Sequence, residues 1–181
     1  MQHEMISYKE DFSIDPAELL QAIGADTGLV ILLNPNSPIG YTYSEKDVRK
    51  IVERAQDAGA IVVIDEAYHY FYTPTFMPLI REYDNLLVLR TFSKLFSMAG
   101  LRIGYVSGNA ELINFIEKAE STFNVNNIAI LFAQEVIRNQ KLVDRLITTE
   151  REGRMWIAKK LKNAGYQTLV MEGNFVLFLP K

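Results

Sequence analysis

The sequence predicts an α/β fold in which a mostly parallel sheet is covered by helices. Short apolar runs of strand length recur at 28–33, 60–65, 86–91 and 101–107. Continuous runs of this kind are typical of strands that are buried on both faces. A segment with helical periodicity separates the first two runs. This β-α-β order indicates parallel pairing, because neighbouring parallel strands need a crossover connection, which is usually a helix.

The segment 44–59 is predicted to be that crossover helix. Ser44, with Asp47 three residues later, resembles a capping box, and Gly59 suits a helix C-terminus. The apolar residues of the segment recur at helical spacing and form a single stripe. They are Val48, Ile51, Val52, Ala55 and Ala58. A helix of this kind packs its stripe against the sheet and leaves its other face in solvent.

The connection between the runs 86–91 and 101–107 is too short for a helical crossover. The fourth strand is therefore predicted to run antiparallel to the third or to lie at a sheet edge. After residue 108 the pattern changes to three helices followed by two strands. The predicted helices cover 109–120, 127–140 and 141–165, and the strands cover 166–172 and 174–180. Charges of both signs in the last helix indicate a solvated face.

Composition excludes several classes of function. The chain has 181 residues and a formal net charge of 19 − 22 = −3, so no basic field indicates nucleic acid or an anionic membrane. It contains no cysteine, which excludes disulfides, thiolate metal sites and cysteine nucleophiles. The polar first residues and the strand-sized apolar runs lead us to expect neither a signal peptide nor a membrane span. His3 and His69 lack metal-ligand spacing, and a packed or loop position is expected for His69.

Three strand ends carry unusual residues. They read NPNSPIG (34–40), DEAYHYF (65–71) and TFSKLFSMAGLR (91–102). In open α/β sheets, ligands bind beyond the carboxyl ends of the strands. The sequence therefore predicts a ligand site at the edge of the sheet where these three loops meet.

The third loop combines groups that suit a phosphate next to a nucleophilic amine. Lys94 lies among apolar and small residues, and Arg102 is interpreted as part of the apolar fourth strand. An arginine on a covered sheet face needs an anionic partner. Thr91 and Ser93 add hydroxyl groups beside the lysine. This set fits a phosphorylated cofactor that is bound to Lys94 as a Schiff base.

The second loop supplies a carboxylate and a phenol. Asp65 and Tyr68 are expected to face the same spot as Lys94, with the carboxylate stabilising a protonated ring nitrogen of the cofactor. A plain helix-capping acid remains open for Asp65. A magnesium-binding acid of a nucleotide hydrolase also fits an apolar strand followed by Asp65 and Glu66. That alternative requires a GxxxxGK[ST] phosphate loop, which the chain lacks.

NPNSPIG, VVIDEAYHYF and TFSKLFSMAGLRIGYVSG together resemble, in order and spacing, the motifs of pyridoxal-phosphate-dependent aminotransferases of class I/II, fold type I. TFSKLFSMAGLRIG and FNVNNIA (123–129) are most similar to the histidinol-phosphate aminotransferase branch. The resemblance implies pyridoxal 5'-phosphate as cofactor. It also implies that Lys94 forms the Schiff base and moves the Cα proton of the substrate, that Asp65 pairs with the pyridine nitrogen, and that Tyr68 hydrogen-bonds the phenolic oxygen.

The same resemblance assigns binding roles to five further residues. Thr91, Ser93 and Arg102 would bind the phosphate, and Asn34 and Gly40 would shape the first loop. The activity implied is transfer of an amino group between an amino acid and a 2-oxo acid or related carbonyl compound. Decarboxylation of a phosphorylated amino acid with the same cofactor, and an inactive cofactor-binding or oligomerising fragment, both stay open as alternatives.

The chain departs from the family pattern in its first loop. The usual motif reads Asn-Pro-Asn-Asn-Pro-Thr-Gly, but this sequence has Ser37 and Ile39 at the fourth and sixth positions. The family places an amide at position 37 to contact the phenolic oxygen of the cofactor. A serine hydroxyl is shorter. We therefore expect weaker stabilisation of the deprotonated Schiff base and a raised pKa for it.

The resemblance covers the chain, but the chain covers only the middle of the family pattern. We expect residues 1–108 to be the C-terminal half of the large cofactor-binding domain and 109–139 to be connecting helices. Residues 140–181 would be the start of a truncated small α+β domain. The resemblance further implies a homodimer, small-molecule substrates and a cytoplasmic location. The chain is therefore expected to be a fragment of a longer enzyme.

Overall fold

A computed structural model describes residues 3–122 and 124–180 and contains a four-stranded sheet in the order β1-β2-β3-β4. The strands are β1 (Leu29–Leu33), β2 (Ile61–Asp65), β3 (Leu86–Thr91) and β4 (Gly104–Gly108). The pairs β1–β2 and β2–β3 are parallel, and β3–β4 is antiparallel. The predicted fold class and the antiparallel edge position of the fourth strand are therefore confirmed.

Five helices and a small hairpin complete the described fold. The helices are α1 (Pro16–Ala22), α2 (Glu45–Asp57), α3 (Ala110–Ala119), α4 (Asn127–Arg138) and α5 (Gln140–Asn163). Short 3₁₀ turns lie at His69–Phe71, Met77–Arg81 and Ala99–Leu101. The hairpin pairs β5 (Thr168–Leu169) with β6 (Leu177–Phe178) in antiparallel fashion. These two strands are much shorter than the predicted segments 166–172 and 174–180.

Helix α2 has the end signals that its sequence predicts. The Ser44 hydroxyl accepts a hydrogen bond from the backbone N–H of Asp47 at 3.1 Å and donates to the Asp47 carboxylate at 2.6 Å. Gly59, just beyond the helix, has a φ of 72°, which is the left-handed conformation that glycine adopts without strain. An N-cap such as Ser44 contributes about 1 kcal/mol.

The main core lies between the sheet and helices α1 and α2. Burying an aliphatic side chain fully contributes about 1.5–3 kcal/mol, so this layer is the principal source of stability. Its fully buried members come from the helix stripe and from alternate positions of the two central strands. They include Val48, Ile51, Val52, Val62, Ile64, Leu86 and Val88.

The expectation that the first strand is buried on both faces is wrong for β1. Val30 and Leu32 are buried, but Leu29 and Ile31 are 46% and 58% exposed. Successive side chains of a strand point to opposite sides of the sheet. Within residues 3–122 and 124–180, only the face of β1 that carries Val30 and Leu32 is therefore covered.

The predicted bounds of the fourth strand are also wrong at its start. The strand begins at Gly104, where it pairs with Thr91 of β3, and residues 99–101 form a 3₁₀ turn. Arg102 ends this turn in the left-handed conformation, with φ 51° and ψ 46°. Arg102 therefore lies in the loop and not on a covered sheet face. Its apolar neighbours Leu101 and Ile103 made the segment resemble a longer strand.

No helix among the described residues is long and apolar enough to cross a membrane. Phe123, the first residue of the FNVNNIA motif, and Lys181, the last residue of the expected small domain, lie outside the described residues, as do Met1 and Gln2. Within the motif, the Asn126 side chain accepts from the N–H of Ala129 at 2.8 Å and so caps α4. The domain boundaries at 108 and 139 stay predictions.

Candidate active site

The register of the parallel strands brings the three strand-end loops together. Leu33 pairs with Asp65 across β1 and β2, and Asp65 pairs with Leu89 across β2 and β3. The backbone continues this pairing beyond the strands. The N–H of Asn34 donates to the carbonyl of Asp65, and the N–H of Glu66 donates to the carbonyl of Leu89, both at 2.9 Å. The three loops therefore leave the same edge of the sheet side by side.

The first loop is folded back on itself by its polar residues. The buried Asn34 side chain accepts a hydrogen bond from the N–H of Tyr43 at 2.9 Å, while its Nδ2 has no protein partner in the part of the chain that is described. Asn36 bonds to Tyr41 through the backbone, and its side chain accepts from the hydroxyl of Tyr8. These contacts agree with the loop-shaping role expected of Asn34.

Ser37, Tyr68 and Lys94 form the centre of the candidate site. The hydroxyl of Tyr68 lies 3.5 Å from the Oγ of Ser37, at the outer limit of a hydrogen bond. The Nζ of Lys94 lies 5.0 Å from the centroid of the Tyr68 ring, which is within the range of a cation–π contact. One residue from each of the three predicted loops therefore meets at one place.

Asp65 lies at the end of β2 and begins the loop that carries Tyr68. Its Oδ1 accepts a hydrogen bond from the N–H of Ala67 at 2.8 Å, and the side chain is half-buried. This bond folds the chain into a tight turn, which leads directly into the segment that carries Tyr68. The second carboxylate oxygen, Oδ2, has no hydrogen bond to the described residues. Asp65 can therefore still accept a hydrogen bond from a ligand.

The loop that carries Lys94 is ordered by its own polar groups. The Oγ1 of Thr91 accepts from the N–H of Ser93 at 3.1 Å, which turns the chain at the end of β3. The N–H of Ser97 donates to the carbonyl of Lys94 at 3.0 Å, and the N–H of Met98 donates to the carbonyl of Phe92 at 3.1 Å. Lys94 is exposed at the tip of this compact loop, so its amine is accessible to a ligand.

Arg102 closes the same loop at its far end. Its Nη1 donates to the carbonyl of Ala99 at 3.1 Å, and the side chain is exposed. Among residues 3–122 and 124–180, neither Arg102 nor Lys94 has an acidic side chain within salt-bridge distance. Two unpaired cations at one loop are a suitable setting for an anion.

The C-terminal segment also reaches the site, which the sequence did not predict. The ring of Phe175 lies 4.7 Å from that of Tyr68 in an edge-on arrangement. The N–H of Glu172 donates to the carbonyl of Gly40 at 3.1 Å, which ties this segment to the first loop. The Nη1 of Arg154 in α5 holds the same segment through the carbonyl of Met171 at 2.7 Å. No local pattern indicates contacts between such distant parts of a chain.

Glu66 is a second feature that was not predicted as part of the site. Its carboxylate is 1% exposed and accepts hydrogen bonds from Arg90 and from the Phe76 N–H. These partners occupy both oxygens, so Glu66 is not available to a metal ion. The magnesium-binding interpretation of Asp65 and Glu66 therefore loses one of its two carboxylates.

The aromatic residues near the loops serve mainly in packing. Tyr41 and Tyr43 contact each other edge to face at 5.2 Å, and burial raises the pKa of both hydroxyls. Tyr70 packs against Phe96 at 4.8 Å. The ring of His69 lies 5.1 Å from that of Tyr70, and burial followed by the charge of Arg90 lowers the pKa of the imidazole. Of the packed and loop positions expected for His69, the structure shows the packed one.

The donor set fits pyridoxal 5'-phosphate. The hydroxyls of Thr91 and Ser93 and the guanidinium of Arg102 suit a phosphate, and the free oxygen of Asp65 suits a protonated ring nitrogen. The amine of Lys94 suits a carbonyl carbon. The unpartnered, buried Nδ2 of Asn34 shows that the first loop also has donor capacity that the described residues do not use.

The fold is that of a fold type I aminotransferase. The family model described as aminotransferase class I and II matches residues 1–180. The chain therefore belongs to the class I and II aminotransferase family. A histidinol-phosphate aminotransferase from Caldanaerobacter subterraneus subsp. tengcongensis is 36% identical over 176 residues, which are 95% of this chain and 48% of that protein.

Solved structures give the same result. The histidinol-phosphate aminotransferase from Sinorhizobium meliloti in complex with pyridoxal-5'-phosphate has a TM-score of 0.81 and 28% identity, over 93% of this chain and 46% of its own. The aspartate aminotransferase from Thermus thermophilus with maleate has a TM-score of 0.81 and 25% identity, over 96% of this chain and 48% of its own. The chain spans about half the length of the relatives that it matches.

Proposed function

We propose that the three strand-end loops hold pyridoxal 5'-phosphate, with Lys94 as its attachment point. The observation that carries this proposal is the meeting of Lys94, Tyr68 and Ser37. The lysine amine is 5.0 Å from the Tyr68 ring centroid, and the Tyr68 hydroxyl is 3.5 Å from the Ser37 hydroxyl. Family membership supports the same cofactor, since a relative of known structure was solved with it.

Each side chain then has a defined task. Thr91, Ser93 and Arg102 bind the phosphate through two hydroxyls and a guanidinium. The carboxylate of Asp65 would accept a hydrogen bond from the protonated pyridine nitrogen and so keep that nitrogen positively charged. The Tyr68 hydroxyl donates to the phenolic oxygen of the ring. These roles use side-chain groups that the described residues leave accessible.

Once bound, pyridoxal phosphate supplies an electron sink and a carrier for the amino group. The chain's own contribution to the reaction is positioning and proton transfer. The Nζ of Lys94 would take the proton from the substrate Cα and hold it for return to the bound molecule. The Tyr68 ring contacts both the Nζ of Lys94 and the ring of Phe175, so it would help to hold the amine in place.

The activity that follows is amino transfer between an amino acid and a 2-oxo acid or related carbonyl compound, in two half-reactions of ping-pong type. The names of the similar proteins support a reaction like that of histidinol-phosphate aminotransferase. Because the chain spans half of those relatives, the activity is proposed for the whole protein. Release of the oxo acid without release of carbon dioxide distinguishes amino transfer from decarboxylation.

We also propose a cytoplasmic homodimer for the whole protein. The family resemblance supports two subunits, and the absence of cysteine is compatible with a reducing compartment. Helix α4 leaves Ile128, Leu131 and Phe132 more than half exposed, which is the kind of apolar surface that a subunit contact buries. Light scattering on the whole protein tests the dimer, and a monomeric mass at micromolar concentration contradicts it.

Borohydride reduction tests the cofactor site. Wild-type chain mixed with pyridoxal phosphate is reduced, digested and analysed by mass spectrometry, and the label is expected on Lys94. Lys94→Ala is expected to abolish this label. Lys118→Ala is the matched control, because Lys118 also lies over an aromatic ring, at 4.9 Å from the Phe115 centroid, but belongs to α3. If the label in a folded wild-type chain falls on other lysines, the proposal is wrong.

A further inference from the structure

A buried ion pair lies directly behind the candidate site. The carboxylate of Glu66 is 1% exposed and the side chain of Arg90 is 13% exposed. The Nε and Nη2 of Arg90 both donate to Oε2 of Glu66, at 3.0 and 2.8 Å, and the N–H of Phe76 donates to Oε1 at 2.7 Å. Thr75 joins the two residues, since its hydroxyl donates to the carboxylate and accepts from Arg90 at 2.7 Å. Both carboxylate oxygens of Glu66 and the hydroxyl of Thr75 are thus hydrogen-bonded within this cluster.

The Glu66–Arg90 pair connects two of the three strand-end loops. Glu66 directly follows Asp65, and Arg90 directly precedes Thr91. Each partner therefore sits next to a residue that is proposed to contact the cofactor, without being such a residue itself. The pair crosses from the end of β2 to the end of β3, where the backbone hydrogen bond from Glu66 to Leu89 ends the ladder.

Stability alone does not explain such a pair. Removing two charges from water costs several kcal/mol per ion, and a buried pair is often no more stabilising than apolar residues of similar size. A charged fork does fix distance and angle, which an apolar contact does not. This difference suggests that the geometry, rather than the free energy, is what the pair contributes.

We propose that the Glu66–Arg90 pair is a positioning device that sets the placement of Asp65 relative to the turn from Thr91 to Lys94. It acts through the backbone on both sides of the site. The inference rests on the proposed function, because the spacing it sets is the one that a ring nitrogen and a phosphate of one cofactor require. Glu66 and Arg90 are positioning residues and do not touch the cofactor.

The neighbouring groups keep Arg90 ionised. Burial by itself would lower the pKa of Arg90, but the hydrogen bond and charge of Glu66, and then the hydroxyl of Tyr105, outweigh it and raise the pKa. The Nδ1 of His69 lies 3.9 Å from Oε2 of Glu66. Burial lowers the pKa of that imidazole, so at neutral pH His69 adds no competing charge.

The test replaces both charges at once. In the double variant Glu66→Gln with Arg90→Met, the glutamine oxygen can still accept from Phe76, and no charge remains unpaired. The matched control is Glu82→Gln with Arg49→Met. That pair has the same residue types and a fork of 2.6 and 3.0 Å, but it is exposed and joins α2 to the end of the 77–81 turn.

Two measurements are made on folded samples. The first is amide hydrogen exchange by NMR without cofactor, at Ala67 and Ser93, whose N–H groups bond to the side chains of Asp65 and Thr91. Exchange at both is expected to become roughly tenfold faster in the Glu66/Arg90 double variant than in the control, relative to the core amide of Val88. The second is the dissociation constant of pyridoxal phosphate, which is expected to rise roughly tenfold.

The outcomes separate the two proposals. Wild-type exchange at both amides, or a wild-type dissociation constant in the folded double variant, overturns the positioning role. A lower melting temperature with both readouts unchanged means that the pair is merely structural and also overturns it. If the double variant does not fold, Arg90→Lys keeps the charge but removes the fork, and the same two readouts decide. A wild-type chain that binds no pyridoxal phosphate overturns the proposed function instead, while the exchange data still report on the pair.

Discussion

Replacing Gly40 by alanine is expected to separate the first loop from the C-terminal segment. Gly40 has a φ of 89°, and an added Cβ would overlap the backbone carbonyl oxygen of Glu172. That oxygen belongs to the backbone, so the clash cannot be relieved by a side-chain rotation. The segment around Glu172 must move away, and with it the ring of Phe175 that packs on Tyr68.

The magnitude follows from three contributions. An alanine in the left-handed conformation costs about 1–2 kcal/mol. Loss of the hydrogen bond from Glu172 to Gly40 costs about 0.5–1.5 kcal/mol. Loss of the edge-on contact between Phe175 and Tyr68 costs about 0.5–1.5 kcal/mol. The free energy of unfolding is therefore expected to fall by about 2–5 kcal/mol.

Gly59→Ala is the matched control for this prediction. Gly59 also has a positive φ, of 72°, but nothing lies within 4 Å of its added Cβ. It is expected to lose only the backbone contribution of about 1–2 kcal/mol. Urea unfolding followed by circular dichroism measures both variants. Equal losses for the two alanines would refute the close approach of the C-terminal segment to the first loop.

Two further predictions concern the loops themselves. Ser37→Asn is expected to lower the pKa at which the absorption of the bound cofactor changes, because an amide beside Tyr68 stabilises the deprotonated form. A spectroscopic pH titration measures this pKa, and an unchanged value in the variant contradicts the expectation. His69→Gln is expected to flatten the acid side of the stability curve. The folded pKa of His69 is lowered by burial and then by Arg90, so stability is present above the ordinary value of about 6.5 and is lost as the pH falls through it. As the pH falls in this range, the free energy of unfolding of the wild type is therefore expected to decrease by up to about 1.4 kcal/mol more per pH unit than that of the variant. Urea unfolding at pH 7.5, 6.5 and 5.5 measures both, and the same dependence on pH in the two proteins would show that His69 does not titrate in this way.

Local patterns were enough to predict the central elements. Apolar runs gave β1, β2 and β3 to within one residue, and the stripe with its caps gave α2. The position of the site followed from topology, because the carboxyl ends of parallel strands share one edge. The sequence therefore predicts that Ser37, Asp65 and Lys94 belong to one site. Their roles at that site stay predictions.

Patterns failed where a neighbour in space decided the outcome. Arg102 was assigned to a strand because Leu101 and Ile103 are apolar, but the turn at Ala99–Leu101 leaves it in a loop. Leu29 and Ile31 were expected to be buried because apolar runs usually are. Their exposure depends on which other elements cover β1, and a strand's own sequence does not contain that information.

The sequence by itself determined the order of the elements, the three loops and the chemical groups that they carry, because each depends on residues close together in the chain. Only the tertiary structure decided which residues contact those groups from other parts of the chain. The contact of Glu66 with Arg90 spans 24 residues, and that of Tyr68 with Phe175 spans most of the chain. Such contacts arise when separate elements pack together, and packing depends on shape and burial across the whole fold rather than on any local pattern.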